Sequence, residues 1–344
     1  MTSHAVAFAP GRANLIGEHT DYNQGLALPF AISEGVTVRA RALAERRIDA
    51  IAVDLGERDS FSLDPLESAD GWRAFVRGAA GELIGAGVKV SGAELEISGT
   101  VPRGAGLSSS AALEVALVMA LLSVSGASEP DRLDLAKLCS RIENDWVGAQ
   151  TGLLDQISSL FGESDRALRI DFRSLDVRPV ELELDGCKLV TLDSGEHHAI
   201  AVSGYNERRA ECAQACAELG VPSLRDVTLA DADRLPAVLC ERARHVITEN
   251  ERVDAAVAAV SRGDTTSLGR LLDESHASLR DCFEVSTPAV EEAVARLKRA
   301  GALGARIVGG GFGGHVLGLM PADAHAVAGA LEVRPGDGAR VTGS

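Results

Sequence analysis

Residues 102–114 read Pro102-Arg103-Gly104-Ala105-Gly106-Leu107-Ser108-Ser109-Ser110-Ala111-Ala112-Leu113-Glu114. The glycines let a backbone approach a ligand closely, and the serines stand where a long helix, Ser108 to Val124, is predicted to begin. Free N–H groups and a positive dipole end make such a helix start a phosphate site. The segment lacks the Gly-Lys-Ser/Thr ending of a P-loop. Its other reading is a glycine turn with serine N-caps. The helix is apolar on nearly every side, which suits burial between layers rather than a place on the surface.

Outward from this helix, the β-branched runs Val36 to Ala42 and Ile48 to Val53 and the alternating Ala93 to Ile97 predict strands. Trp72 to Leu83 and Leu133 to Val147 predict further helices. Alternation returns at Val180 to Leu184, and Lys188 to Leu192 reads as another strand. Helices are then expected over Tyr205 to Leu219, Leu235 to Ile247, Glu251 to Val260 and Ala289 to Arg299. Short strands Ala305 to Val308 and His315 to Met320 flank a glycine run, and a final helix and strand close the chain. Strands and helices mix without a regular βαβ repeat, so the fold class is α+β in two domains, residues 1–173 and 174–344. With no repeat or low-complexity linker, the halves are expected to pack around a shared cleft.

A chain of 344 residues suits two domains, and 46% hydrophobic residues build cores without disulfides. Aromatics are only 3%, so aliphatic packing must carry most of the burial. The net charge of −16, from 34 basic and 50 acidic residues, argues against a nucleic-acid backbone or an anionic membrane as partner. It fits a monomer or a weak dimer. Neither a signal peptide nor a membrane span is legible, so a cytoplasmic location is expected. Cys139, Cys187, Cys212, Cys216, Cys240 and Cys282 read as scattered reduced thiols; Cys212 and Cys216 lie one helical turn apart, with no second pair to complete a metal site.

Three other segments carry chemistry. Pro10-Gly11-Arg12-Ala13-Asn14-Leu15-Ile16-Gly17-Glu18-His19-Thr20-Asp21-Tyr22-Asn23 packs many hydrogen-bonding side chains into a short span, as sugar hydroxyls require. Arg12 keeps its proton and suits a transferring phosphoryl group; a polar loop with a helix cap is the equal alternative. Asp155 follows two leucines and is a candidate base, or else an N-cap. The run Gly309-Gly310-Gly311-Phe312-Gly313-Gly314 formally fits a dinucleotide fingerprint, but the strand expected after it argues for a tight connection instead.

Taken together, these residues resemble the galactokinase family of the GHMP kinase superfamily. Gly11 to Asn23 is similar to its signature. Trp72 to Gly78 resembles its Trp-x-x-Tyr-Val-x-Gly stretch, with Phe75 for tyrosine, and Gly104 to Glu114 resembles the superfamily's ATP-phosphate loop. Gly152 to Gln156, His198 to Cys212, Ser275 to Pro288 and Arg306 to Gly314 also match.

The resemblance implies a ribosomal protein S5 domain 2-like N-terminal domain and a ferredoxin-like C-terminal domain. It implies transfer of the γ-phosphate of MgATP to the C1 hydroxyl of galactose. Arg12 and Asp155 would be catalytic. Glu18, His19, Thr20, Asp21, Gly152 and Tyr205 would bind the sugar. Gly104, Ala105, Gly106, Leu107, Ser108, Ser109 and Ser110 would wrap the ATP phosphates. Ser110 and Glu143 would coordinate Mg²⁺.

Thr151-Gly152-Leu153-Leu154 departs from the family's Cys-Gly-Ile-Met, Val308 replaces a usual threonine and His315 a usual cysteine. These changes bear on substrate preference rather than on reaction type. A kinase of galacturonate, arabinose or N-acetylgalactosamine is the nearest alternative. A silent galactose sensor is disfavoured by the uninterrupted Ser109-Ser110-Ala111-Ala112, and mevalonate or homoserine kinases by the Glu-His-Thr-Asp run.

Overall fold

The structure is a computed structural model that describes residues 3–101, 106–196 and 200–342. Gly104 and Ala105 of the glycine loop, and His198, lie outside the described residues.

Strand β1 (His4–Asn14) pairs antiparallel with β3 (Pro29–Leu43) after the short β2 (Leu26–Ala27). β4 (Arg47–Ala52) and β5 (Glu57–Ser62) form a hairpin, helix α1 (Trp72–Gly85) follows, and β6 (Gly92–Gly99) lies between β3 and β4, parallel to β4. On the inner face of this sheet Ala5, Ala7 and Ala9 are buried, and their small side chains let α2 (Ser109–Val124) lie close against it. α1, α3 (Arg132–Arg141) and α4 (Leu154–Phe161) enclose α2 from the other sides. This burial between layers matches the all-round apolar sequence of α2.

The helix expected over 133–147 stays α-helical only to Arg141, then widens into a π turn, Ile142–Val147, closed by Gly148 at φ +87°. Such turns recur at functional sites. This one carries Glu143.

β7 (Arg166–Asp171) and β8 (Asp176–Glu181) pair with each other, and β7 with β2, in a small sheet. β8 thus starts four residues before the expected strand. β9 (Cys187–Asp193) and α5 (Ile200–Leu219) lead into the helical part: α6 (Leu229–Ala232), α7 (Ala237–Val260), α8 (Thr265–Asp281) and α9 (Pro288–Arg299). β10 (Gly304–Ile307), β11 (His315–Pro321) and β12 (Ala330–Val333) complete an antiparallel sheet ordered β10-β11-β9-β12, with α8 and α9 packed on it.

Two helices expected over 235–247 and 251–260 are one, α7, because polar Glu249-Asn250-Glu251 contains no glycine or proline to stop it. α8, capped by Asp264 onto the Ser267 N–H, was not legible as a helix. The closing helix does not form among the described residues. The alanine-rich segment is tied instead by Ala322 N–H to the Gly186 carbonyl and by pairing of Ala330 with Leu192, so tertiary pairing overrides propensity.

The last strand, β13 (Arg340–Thr342), returns to pair with β1. Among the described residues the first sheet therefore runs β13-β1-β3-β6-β4-β5. Arg173 lies in the turn between the paired strands β7 and β8.

Candidate active site

The β1–β3 register shifts between Pro10 and Arg12. A bulge of this kind re-aims the next side chain. Gly11 makes it possible: a Cβ there would lie 2.5 Å from the Leu107 carbonyl oxygen, the acceptor of the Arg12 N–H. Arg12 is thereby turned into a cleft, where its guanidinium donates to Asp155 and to the Gly106 carbonyl. Burial works against the Arg12 charge, but Asp155 and then Glu18 outweigh it and hold the pKa above the ordinary value.

Asp155 stands in the first turn of α4. One of its oxygens takes both Arg12 nitrogens, Nε at 2.7 Å and Nη2 at 2.6 Å, and the other accepts from the Ser108 hydroxyl. Ser108, at φ +56°, occupies the N-cap of α2 yet makes no side-chain cap. Its hydroxyl is turned to Asp155, so the first N–H groups of α2 are left without a side-chain cap. Gly106, Ser108, Ser109 and Ser110 line that cleft, whereas Leu107 packs into the core beneath.

Glu143, buried at the π turn, accepts from the Ser110 hydroxyl on Oε1 (2.8 Å). Its Oε2 accepts from the Thr151 hydroxyl (2.8 Å) and the Gln156 amide (3.1 Å). Burial, then the Asp155 charge, raises its pKa. Thr151 stands where the family usually has cysteine, and its contact with Glu143 is a site feature that the pattern did not reveal.

At the other end of the cleft lies the signature loop. Glu18 accepts from the Gly309 N–H at 2.8 Å and faces Arg306 at 3.5 Å; burial raises its pKa against the pull of Arg306 and Arg12. His19 stacks between Tyr205 and Phe283, with centroids 5.1 and 4.8 Å away, and bonds the Tyr22 hydroxyl. Burial, aided by nearby His245, drives its pKa down to about 3, so the ring is neutral. Asp21 faces Gly152, where a Cβ would sit 2.0 Å from its Oδ2. Burial pushes Asp21 up to about 7, with Asp155 and Glu18 adding to the rise.

Thr20 does not line the cleft. Its hydroxyl lies 2.7 Å from the Leu26 carbonyl and 3.0 Å from that of Gly17, so it shapes the loop from behind.

The glycine run joins antiparallel β10 and β11 and opens no helix, as a tight connection should. Gly309 to Gly314 form one wall of the cleft, with Phe312 at φ +60°. His315, buried at the start of β11, pairs in register with Asp193.

Residues far away in sequence brace the loop. Arg306 is fully buried and donates to the Asn14 carbonyl at 2.9 Å. From α7, Glu249 accepts from the Gly17 N–H (2.9 Å) and His245 bonds the Glu18 carbonyl (3.1 Å). Burial works to raise Glu249, but Arg252 and His245 pull it down to about 2. An arginine inside the apolar run Ala305 to Val308 was a visible signal for one of these three. A helical glutamate and histidine gave none.

The cleft, about 510 Å³, brings together Arg12, Glu18, His19, Asp21, Ser108 to Ser110, Glu143, Gly152, Asp155 and Tyr205, with Glu196 and Asn206 added. Carboxylates and aromatics sit at one end, and a helix N-terminus with hydroxyls at the other. That arrangement suits a small polyol beside a phosphate chain.

Fold and cleft define the class, the GHMP kinases. The sequence model of the GHMP kinases N terminal domain matches residues 74–163 and that of the GHMP kinases C terminal matches residues 256–337. A mevalonate kinase from Methanococcus jannaschii shares the fold at 18% identity, with TM-score 0.71 over 97% of this chain and 99% of its own. The galactokinase galactose-binding signature matches residues 2–42. Galactokinases of Mycobacterium tuberculosis and Roseiflexus sp. are 44% and 43% identical, each over 92% of this chain and over 88% and 83% of their own. The structure of Lactococcus lactis galactokinase complexed with galactose superimposes with TM-score 0.91 at 34% identity, over 98% of this chain and 95% of that one. The chain belongs to the galactokinase family, and is thus an ATP-dependent sugar kinase.

Proposed function

We propose that this chain transfers the γ-phosphate of ATP to the C1 hydroxyl of D-galactose, giving galactose 1-phosphate and ADP. The observation that carries the reading is the clasp of Arg12, Asp155 and Ser108 at the junction of the hydroxyl-binding and phosphate-binding ends of one cleft. The sugar C1 oxygen attacks the γ-phosphorus as the bond to the β–γ bridging oxygen breaks, and ADP leaves with that electron pair. The hydroxyl proton passes to Asp155. Arg12 meets the charge spread over the transferring phosphoryl oxygens. Glu18, His19, Asp21, Gly152 and Tyr205 hold the other hydroxyls, and Gly104 to Ser110 the phosphates.

Magnesium belongs to the same reading. Mg²⁺ prefers one or two hard protein oxygens completed by substrate phosphates and water. Ser110 and Glu143 supply such a pair, and among the described residues no group of three or more His, Cys, Asp or Glu forms an all-protein cage. When bound, the ion offsets phosphate charge. The division into residues 1–173 and 174–344, a cytoplasmic location, and a monomer or weak dimer that binds neither nucleic acid nor membrane complete the proposal. Among the described residues no helix is long and apolar enough to cross a membrane.

The deciding experiment measures ADP release from MgATP with galactose, galacturonate, arabinose, N-acetylgalactosamine and no sugar. Fast turnover with galactose is expected. Preference for another sugar would keep the kinase and overturn the substrate. No turnover from folded protein that binds galactose would favour a sensor.

A further inference from the structure

Glu114 is fully buried in α2 and is untouched by the roles above. Its Oε2 lies 3.1 Å from the Gln156 amide nitrogen, and that same nitrogen lies 3.1 Å from Glu143 Oε2. The two amide protons of Gln156 thus serve two carboxyl groups. Glu114 Oε1 and Gln156 Oε1 are both among the buried oxygens that have no partner among the described residues. Both are acceptors if Glu114 is a carboxylate, and a buried acceptor without a donor is costly, about 1–3 kcal/mol. A proton on Glu114 Oε1 would remove the difficulty if donated to Gln156 Oε1, whose amide nitrogen already reaches Glu114 Oε2. The pair then becomes a closed acid–amide ring with every polar atom satisfied.

We propose that Glu114, as a neutral carboxylic acid paired with Gln156, is a positioning residue that orients Glu143 for its metal ion. Burial and the facing Glu143 charge both favour the neutral form of Glu114. Gln156, held by the ring, and Thr151 together occupy Glu143 Oε2 and leave Oε1 turned toward Ser110. Outer partners of a ligating carboxylate commonly set metal affinity by about 10–100-fold. The inference rests on assigning Ser110 and Glu143 to magnesium.

The test compares wild type, Glu114→Ala, Glu114→Gln and Gln156→Leu. Glutamine at 114 reproduces the ring: its carbonyl accepts from Gln156 and its amide donates back. Mn²⁺ binding in the presence of ATP, read by electron paramagnetic resonance, should weaken about 10-fold or more in Glu114→Ala and Gln156→Leu. Half-maximal velocity should need correspondingly more Mg²⁺, with the galactose KM unmoved. Glu114→Gln should recover the wild-type values. In metal-free protein, the infrared difference between wild type and Glu114→Gln should show the carbonyl stretch of a protonated carboxylic acid, shifted in D₂O.

Glu114→Gln as impaired as Glu114→Ala, absence of that band, or unchanged Mn²⁺ affinity in a folded Glu114→Ala each overturns the proposal. If the truncated variants do not fold, the infrared band and Glu114→Gln still decide. Wild type that turns over no sugar would remove the assigned reaction, while the infrared and Mn²⁺ readouts would judge the positioning role separately.

Discussion

Arg12 and Asp155 stand 143 residues apart in the chain, yet two guanidinium nitrogens of Arg12 converge on one oxygen of Asp155, Nε at 2.7 Å and Nη2 at 2.6 Å. The bulge at Gly11 delivers one partner and the start of α4 the other. The contact holds Asp155 and Arg12, the proposed base and phosphate-stabilising cation, in one place before any substrate arrives, which is what positional catalysis asks of a site.

Replacing Asp155 by asparagine keeps the size of the side chain and removes its capacity to take a proton. Turnover should fall by about 10²–10⁴-fold, the usual worth of a positioned base. Circular dichroism and thermal melting should stay close to wild type. Equal activity in the purified variant would take Asp155 out of the chemistry.

Asp21 carries a pH prediction. Its folded pKa is near 7, raised by burial, and Asp155, Glu18 and Tyr205 face it together with the opposing charge of Arg209. An acid with a raised folded pKa binds more protons folded than unfolded, so this group lowers stability as pH rises toward 7. Galactose hydroxyls want the carboxylate. Binding near pH 6 should therefore release protons and weaken as pH falls through about 7. Calorimetry in two buffers of different ionisation enthalpy reads the proton release, and Asp21→Asn should abolish it. A pH-independent affinity would mean that Asp21 does not accept from the sugar.

Gly152 has no room for a methyl group. Its Cβ would lie 2.0 Å from Asp21 Oδ2, so Gly152→Ala should displace that carboxylate. The galactose KM should rise several-fold with the ATP KM little changed. Steady-state kinetics with each substrate varied in turn distinguishes this from a general loss of folding, which would lower kcat without such a split.

Arg306 is fully buried beside Glu18 and ties down the Asn14 carbonyl. Removing one partner of a buried pair leaves the other charge uncompensated, so Arg306→Met should cost about 3–5 kcal/mol in urea denaturation. A loss below about 1 kcal/mol, within the range of a surface pair, would show that Glu18 keeps its place by other means.

Much of the site was legible locally. The polar crowding of residues 10–23, the glycines ahead of Ser108 and the leucines before Asp155 are near-neighbour patterns, and backbone geometry acts on near neighbours. The strand after the glycine run correctly argued against a dinucleotide site. Thr20 is where local reading ran out. A hydroxyl inside a signature looks like a ligand, and only the fold shows it spent on the Gly17 and Leu26 carbonyls. The same holds for α7, whose Glu249 reaches the Gly17 N–H across 232 residues.

The amino-acid sequence by itself determined the α+β class, the burial of α2, the glycine–serine start of that helix and the family, because each is written in contiguous residues or in their periodicity. Tertiary structure alone decided that β13 closes the first sheet, that His245, Glu249 and Arg306 brace the signature loop, and that Glu114, Gln156 and Thr151 surround Glu143. The physical reason is that a buried hydrogen-bonding group must find a partner wherever packing brings one. Sequence distance places no limit on where that partner comes from.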